Sequence, residues 1–553
     1  MSSDPELQEP LLEESPPVVV VEDANVLVEE TRAEASFETN ENDGVGHEQP
    51  AVYRDVLFAV LFYLQVVLMM GTAVWSFQYL WKQEEPDTIA PTVAPTAAPI
   101  SNFTTYMQED EAEWMFPSDK EERQIVAWTL GFLVLSLACA MVSVTLVLVA
   151  LQHYSHTAVQ ISFGIAPFSS LLVAILMTFV NPHACAPFWI TAVLVALLSG
   201  IHYCVVRPYI PFTAANLKIG LQAVNATKSL FVYAALLQVM TMLYWIVAVT
   251  ALSGIIVYYH NQLVPCGDDV AQQCHDSIPL WMAVLWLLAV YWTQSVVQNV
   301  IRATTAGAVG AWWFRSPDEE VEEEGGCCCC TGQQDVHDAW HRATTYSFGS
   351  ICFGSLVVAL VQVLERVVAE ARRQRQRQHG HDSLWLCLLD CLIESLGRVL
   401  EYFNSWAFLY VGIYGYDYMS AGQHVMTLFQ QRGFTFLLTH TLLFQVLRYI
   451  KGSIGLVSGA GLAVVGAVFV QNATHVVWAV FAFGFVAGWM LAGMILFVVE
   501  SGVRTIMLCF VERPMDAAIH HPAAYQTLTA GWSRVYPEQF PHRSTTTETQ
   551  AFV

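Results

Sequence analysis

Charge is scarce in this chain: Asp, Glu, Lys and Arg together make up 13% of its 553 residues, against 55% apolar ones. So little charge excludes an ordinary soluble domain and points to a polytopic membrane protein. Bases are scarcer still, 24 Lys and Arg against 48 Asp and Glu, which removes nucleic acid as a partner. No strand, Gly-rich loop and helix unit is present, so nucleotide-driven transport has no support and no cofactor is expected. The pairs His153/His156, His379/His381 and His520/His521 read as interfacial or tail histidines, so no metal site is expected either. No Ser, His and acid grouping has a local signature, and an enzyme is not expected. A basic n-region is missing before Val18–Val21, which excludes a signal peptide.

The charge that is present is concentrated in polar segments, leaving the apolar runs near neutrality. Residues 1–50, rich in Glu and poor in aromatics, cannot bury enough apolar surface to fold and read as a disordered acidic cytosolic tail. Residues 51–511 form the membrane domain, with an extracellular loop at 81–124 and an acidic, Cys-rich loop at 315–343. Residues 365–404 read as a basic loop plus interfacial helix, and 512–553 as a cytosolic C-terminal tail.

A spanning helix needs roughly 20 apolar residues. Val56–Leu80, Val126–Leu151, Ile161–Val180, Ala186–Val206 and Phe231–Tyr259 supply the first five. The loop after the first carries a Pro/Ala/Thr-rich stalk and the glycosylation sequon at Asn102, so it reads as extracytosolic and the N-terminus as cytosolic. The short loop LVPCGDDVAQQC then falls outside, which makes Cys266 and Cys274 the disulfide candidates.

The next run, Ile278–Phe314, is too long for one crossing, and Thr304, Thr305, Gly307 and Gly310 mark where it is expected to break or re-enter. Its first half carries Thr293, Gln294, Ser295, Gln298 and Asn299, ending at Arg302, beside Trp286, Tyr291 and Trp292. Three readings are open. The stripe is helix–helix hydrogen bonding, a solute path in which aromatic faces hold a cation, or an enzyme site.

After the span Thr344–Leu364 comes the most basic segment, ERVVAEARRQRQRQHGHD, which the positive-inside rule puts in the cytosol. Ser383–Gln423 follows, opening with apolar residues at helical spacing opposite Asp390, Glu394, Arg398 and Glu401. That is an amphipathic helix suited to lie along an interface. Ile454–Val470 and Val476–Val499 form a final hairpin, closed by Glu500 and Arg504.

Four stretches in order resemble the choline transporter-like family of solute carriers, in its fungal and plant-type branch: VVQNVIRATTAGAVGAWWF, TTYSFGSICFGSLVVALVQ, CLIESLGRVLEYFNSWAFLYVGIYGYDYMSAG and LCFVERPMDAAIHHPAAY. The resemblance covers nearly everything from Tyr53 to Pro537. It implies about ten spans, cytosolic termini and ATP-independent transport of choline or a related quaternary amine, at the plasma membrane or in an endomembrane or vacuolar membrane.

The expectation is therefore an all-α polytopic protein of about ten transmembrane helices, with one broken or re-entrant helix and a cytosolic amphipathic interfacial helix. It is a carrier of choline or another organic cation. The alternatives are transport of ethanolamine-like amines, or a membrane scaffold or lipid-homeostasis role without solute flux. Trp286, Tyr291, Trp292, Gln294, Gln298 and Glu500 are the candidate substrate-binding residues. Tyr410, Tyr414 and Tyr416, with Gly412 and Gly415 allowing bends, are the candidate gate, and membrane lipids are the expected surroundings.

Overall fold

The computed structural model describes residues 46–84, 119–180, 186–261, 263–265, 273–275, 278–315, 331–379, 384–432, 435–469 and 474–535. The sequon at Asn102 and Cys266 of the disulfide pair lie outside them, and of Cys274 only the backbone is described.

In a hydrocarbon medium each backbone amide must find its partner within the segment, so apolar runs become helices. They are α1 (Val56–Glu84), α2 (Asp119–His153), α3 (Ser155–Val180), α4 (Ala186–Val206), α5 (Ile210–Ala226) and α6 (Ser229–His260). A two-stranded antiparallel hairpin follows, β1 (Leu263–Pro265) with β2 (Gln273–His275), Val264 standing opposite Cys274. The remaining helices are α7 (Leu280–Phe314), α8 (Thr331–Thr344), α9 (Phe348–His379), α10 (Leu384–Tyr414), α11 (Tyr418–Arg432), α12 (Thr435–Phe469), α13 (Thr474–Glu512), α14 (Pro514–His520) and α15 (Pro522–Trp532).

Eight helices among the described residues are long and apolar enough to cross a membrane, and the pair Ser155–Ile165 and Pro167–Ile175, bent by 40°, makes a ninth. Pro167 explains the bend, since proline removes a ladder hydrogen bond. Their outward faces are apolar, as lipid contact requires: Val67 is 66% exposed and Ile190 68%. Helix α10 carries too many charges to pass on composition. Yet it runs antiparallel to α9, with Gly397 against Glu365 and Asp390 paired to Arg372 at 3.0 Å.

Three expectations change here. Helix α7 does not break at Thr304–Gly310 but continues over 35 residues. Its small residues serve close approach instead: a Cβ on Gly412 of α10 would run into the Ala303 carbonyl, and one on Gly307 into Ala339 and the Gly412 carbonyl. At 1.5 Å per residue such a helix outruns a bilayer core, and its surplus length is buried in protein from Asn299 to Gly310. Second, the amphipathic stretch is no separate interfacial helix. It is the first half of α10, which passes from Trp385, 82% exposed, to Trp406, fully buried, without interruption.

Third, the Arg-rich segment is the last turns of α9 rather than a loop. It lies at the opposite end of that helix from Ser350, whose hydroxyl donates to Asp55 at 2.6 Å. The basic run and the chain's first described residues therefore sit at opposite ends of the bundle. Helical order also reaches into the expected loop and tails. Residues 331–344 form α8, 514–532 form α14 and α15, and residues 46–50 are seated against the end of α10.

The tightest core gathers at the Arg54 end. Helix α5, buried on nearly every side, packs with the last third of α13 and with α15, and Trp313, Tyr410, Phe408, Phe510 and Leu217 are fully enclosed there.

Candidate functional site

The aromatic and amide side chains of α7 do not converge on one cavity. Trp286 donates to the Ala248 carbonyl at 3.1 Å, and Gln294 accepts from Trp245 at 3.3 Å, both toward α6. Trp292 is buried and donates to the Cys352 carbonyl of α9 at 3.0 Å, its ring edge-on to Phe62 at 5.5 Å. Tyr291 accepts from Arg366 at 3.0 Å, and Gln298 is exposed. Thr293 accepts from Gln65 of α1 at 2.8 Å. A helix with polar groups on several faces ties together several neighbours, and that is what these residues do.

The sixth candidate, Glu500, is placed differently. It lines a cavity of ≈ 230 Å³ between α12 and α13, together with Phe444, Arg448, Lys451, Trp489 and Phe497. Three aromatic faces, one carboxylate and a narrow volume suit a small organic cation, whose charge is held by ring quadrupoles and a counter-ion. The protein's own cations already use those faces. The Lys451 ammonium stands 4.7 Å over Trp489, the Arg504 guanidinium 4.0 Å over Phe444, and Arg302 5.1 Å over Phe497.

Behind the cavity lies a buried ion network. Arg504 meets Glu500 at 2.6 Å, one helical turn apart, with the Arg504 side chain 2% exposed. Arg302 of α7 donates to Asn299 at 2.6 Å, and Asn299 donates on to Ser355 of α9 at 2.9 Å. Here the polar end of the α7 stripe finds its use. It anchors Arg302 beside α13.

A second cavity, ≈ 220 Å³, lies in the groove between α9 and α10 and is lined by Glu365, Glu394, Arg398, Gly397 and Glu401. Glu401 is within Coulombic reach of Arg302, Arg504 and Glu500. Two small cavities thus border one ion network from two sides.

At the end of the bundle that holds Arg54, two of the tyrosines expected to form a gate, Tyr410 and Tyr414, meet at Glu512, which no local pattern singles out. Tyr410 and Tyr414 both donate to Glu512, at 2.5 and 2.8 Å. Gly415 takes a positive φ of 76°, which ends α10 and turns Tyr416 back onto His424, ring centroids 4.5 Å apart. Residues 46–50 close over this cluster. The Gln49 amide donates to the Tyr414 carbonyl at 2.8 Å, the His47 amide to the Tyr416 hydroxyl at 3.1 Å, and Arg513 to the Gly46 carbonyl at 3.0 Å. Gly46 is required by space, since a Cβ would enter the Tyr414 ring.

Arg342 of α8 donates to the Gly412 carbonyl at 2.7 Å, a cation at a helix C-terminus, where it is favoured. Burial lowers the Arg342 pKa from its ordinary value, and Glu48, 3.8 Å away, opposes that shift. Burial also holds His424 below its ordinary value, with neighbouring His47 acting in the same direction.

Phe444, Lys451, Trp489 and Phe497 are not marked out by local sequence, because they meet only when α12 packs against α13. The signal that existed was Arg448 and Lys451 interrupting an apolar run. No group of three or more His, Cys, Asp or Glu suited to a metal occurs among the described residues.

The sequence profile of the plasma-membrane choline transporter family matches residues 189–515, which takes in α7, both cavities and the tyrosine cluster. The chain is similar to Protein pns1 of Aspergillus fumigatus, 27% identical over 341 residues that cover 59% of this chain and 60% of that protein. It is similar to Protein PNS1 of Gibberella zeae, 25% identical over 340 residues (60% and 59%), and to Protein PNS1 of Cryptococcus neoformans var. neoformans, 23% identical over 431 residues (75% and 74%). The matched region thus spans about three fifths of the length of the first two of these relatives.

Proposed function

The chain belongs to the plasma-membrane choline transporter family, and from that premise we propose that it is an ATP-independent carrier of choline or a related organic amine. The observation that carries the reading is Glu500, a buried carboxylate in a small cavity with Phe444, Trp489 and Phe497. A quaternary ammonium has no N–H to donate, so aromatic faces and one counter-charge are its natural partners. Lys451 occupies the Trp489 face as a tethered cation, and the substrate displaces it.

The groove of Glu365, Glu394 and Glu401 supports an approach route, because carboxylates at a cleft raise the local concentration of cations. The Arg302–Glu500–Arg504 network is the barrier between the two cavities. Tyr410 and Tyr414, held by Glu512, and Tyr416, held by the His47 amide, form a gate at the opposite level under residues 46–50. With the Arg54 end in the cytosol both termini are cytosolic, the gate faces inward, and the carrier serves the plasma membrane.

The test is flux of labelled choline into liposomes holding the purified protein. Trp489→Ala is expected to raise KM about threefold to thirtyfold, the loss of one cation–π contact. Absence of flux above empty liposomes, for choline and for ethanolamine-like amines alike, overturns the proposal.

A further inference from the structure

Two buried guanidinium groups in the ion network have more donors than the described residues offer acceptors for them. Arg504 is 2% exposed and spends one nitrogen on Glu500. Its Nε and Nη1 reach no acceptor among the described residues. Arg302, 9% exposed, spends Nη1 on the neutral Asn299, and its Nε is likewise unpartnered.

The count of charge points the same way. Arg302, Arg504 and Lys451 all act on Glu500, and the only other carboxylate within reach of the two arginines among the described residues is the exposed Glu401. Burying a charge without a partner costs several kcal/mol, roughly, in a low-dielectric interior. One face of each guanidinium lies against a ring, Phe444 for Arg504 and Phe497 for Arg302, the same rings that line the Glu500 cavity. The unpartnered N–H groups point from the edges.

We propose that Arg302 and Arg504 together hold a small monovalent inorganic anion, such as chloride, behind the Glu500 cavity. The anion accepts from unpartnered N–H groups of both guanidiniums and neutralises the excess positive charge. An organic cation entering the cavity then meets a neutral wall instead of a cationic one. That consequence rests on the transport reading; anion binding itself does not.

The experiment is thermal unfolding of the purified full-length protein, without substrate, titrated with sodium chloride against sodium gluconate at constant ionic strength. Chloride is expected to stabilise saturably and gluconate is not. Arg504→Gln is expected to raise the half-saturating chloride concentration about tenfold or more, the scale of a lost charged hydrogen bond. Arg373→Gln, at an exposed position on α9, is expected to leave it unchanged. Should Arg504→Gln fail to fold, a bromide soak of wild-type crystals reads the site directly, with an anomalous peak between Arg302 and Arg504 expected. Equal stability in the two salts, or no bromide peak there, means that the donors are met by water and overturns the proposal. Because no flux is measured, this outcome is independent of whether choline is carried.

Discussion

Glu500 and Glu512 stand on one helix, twelve positions apart, and both are withdrawn from water, yet they have opposite company. Glu500 is met by a cation, Arg504, with Arg302 and Lys451 nearby, beside a cavity. Glu512 is met by two neutral hydroxyls, from Tyr410 and Tyr414, beneath a segment that covers them. A carboxylate held by cations is part of an ion balance and responds to a visiting charge. A carboxylate held by tyrosine hydroxyls is a clasp: it fixes the end of α10 to the end of α13. The same residue type thus serves a binding level and a gate level, and the difference lies in the donors that neighbouring helices supply.

The comparison breaks most visibly if the charge partner is removed. Arg504→Met leaves Glu500 buried without its ion pair and is expected to destabilise the protein by about 3–5 kcal/mol. Thermal unfolding of the purified protein reads it, and adding Glu500→Gln should recover part of the loss. If the double variant is no more stable than the single one, Glu500 does not depend on Arg504.

A smaller effect is expected at the clasp. Glu512→Gln keeps the shape but replaces two charge-assisted hydrogen bonds with neutral ones, for a loss of about 1–3 kcal/mol. In proteoliposomes it should alter the maximal rate and leave KM for choline near wild type, whereas Glu500→Gln should raise KM. The two levels are not distinct if both variants shift KM alike.

The smallest effect is a response to pH. His424 is held below its ordinary value of 6.5 by burial and by His47, so a released His424 takes up a proton before a seated one does. The seated state is therefore favoured above about 6.5 and loses stability as pH falls below it. Limited proteolysis near residues 46–50, normalised to an unstructured peptide, should quicken on acidification, and the increase should vanish in His424→Gln.

Much of the fold was legible because its signals are local. Apolar runs of spanning length mark most of the bundle helices. Helix α10 was misplaced because its outward half carries four charged residues that a sequence window weighs as interfacial, while α9 provides Arg372 for one of them. Gly307 and Gly310 suggested a break because glycine permits both a bend and a close approach, and only the presence of α10 decides which. At the site, Glu500 and the tyrosines were legible as charged and aromatic residues at helix ends. Their partners were not.

Composition, run length and ordered motifs suffice to specify a helical membrane protein and the family to which it belongs. The tertiary structure decided that the α7 aromatics tie helices together, that Glu500 faces Trp489 across a cavity, and that Glu512 receives Tyr410 and Tyr414. The reason is physical: hydrophobic length acts within a segment, whereas a cavity or an ion network is made of residues far apart in the chain. Their meeting is fixed only when the helices pack.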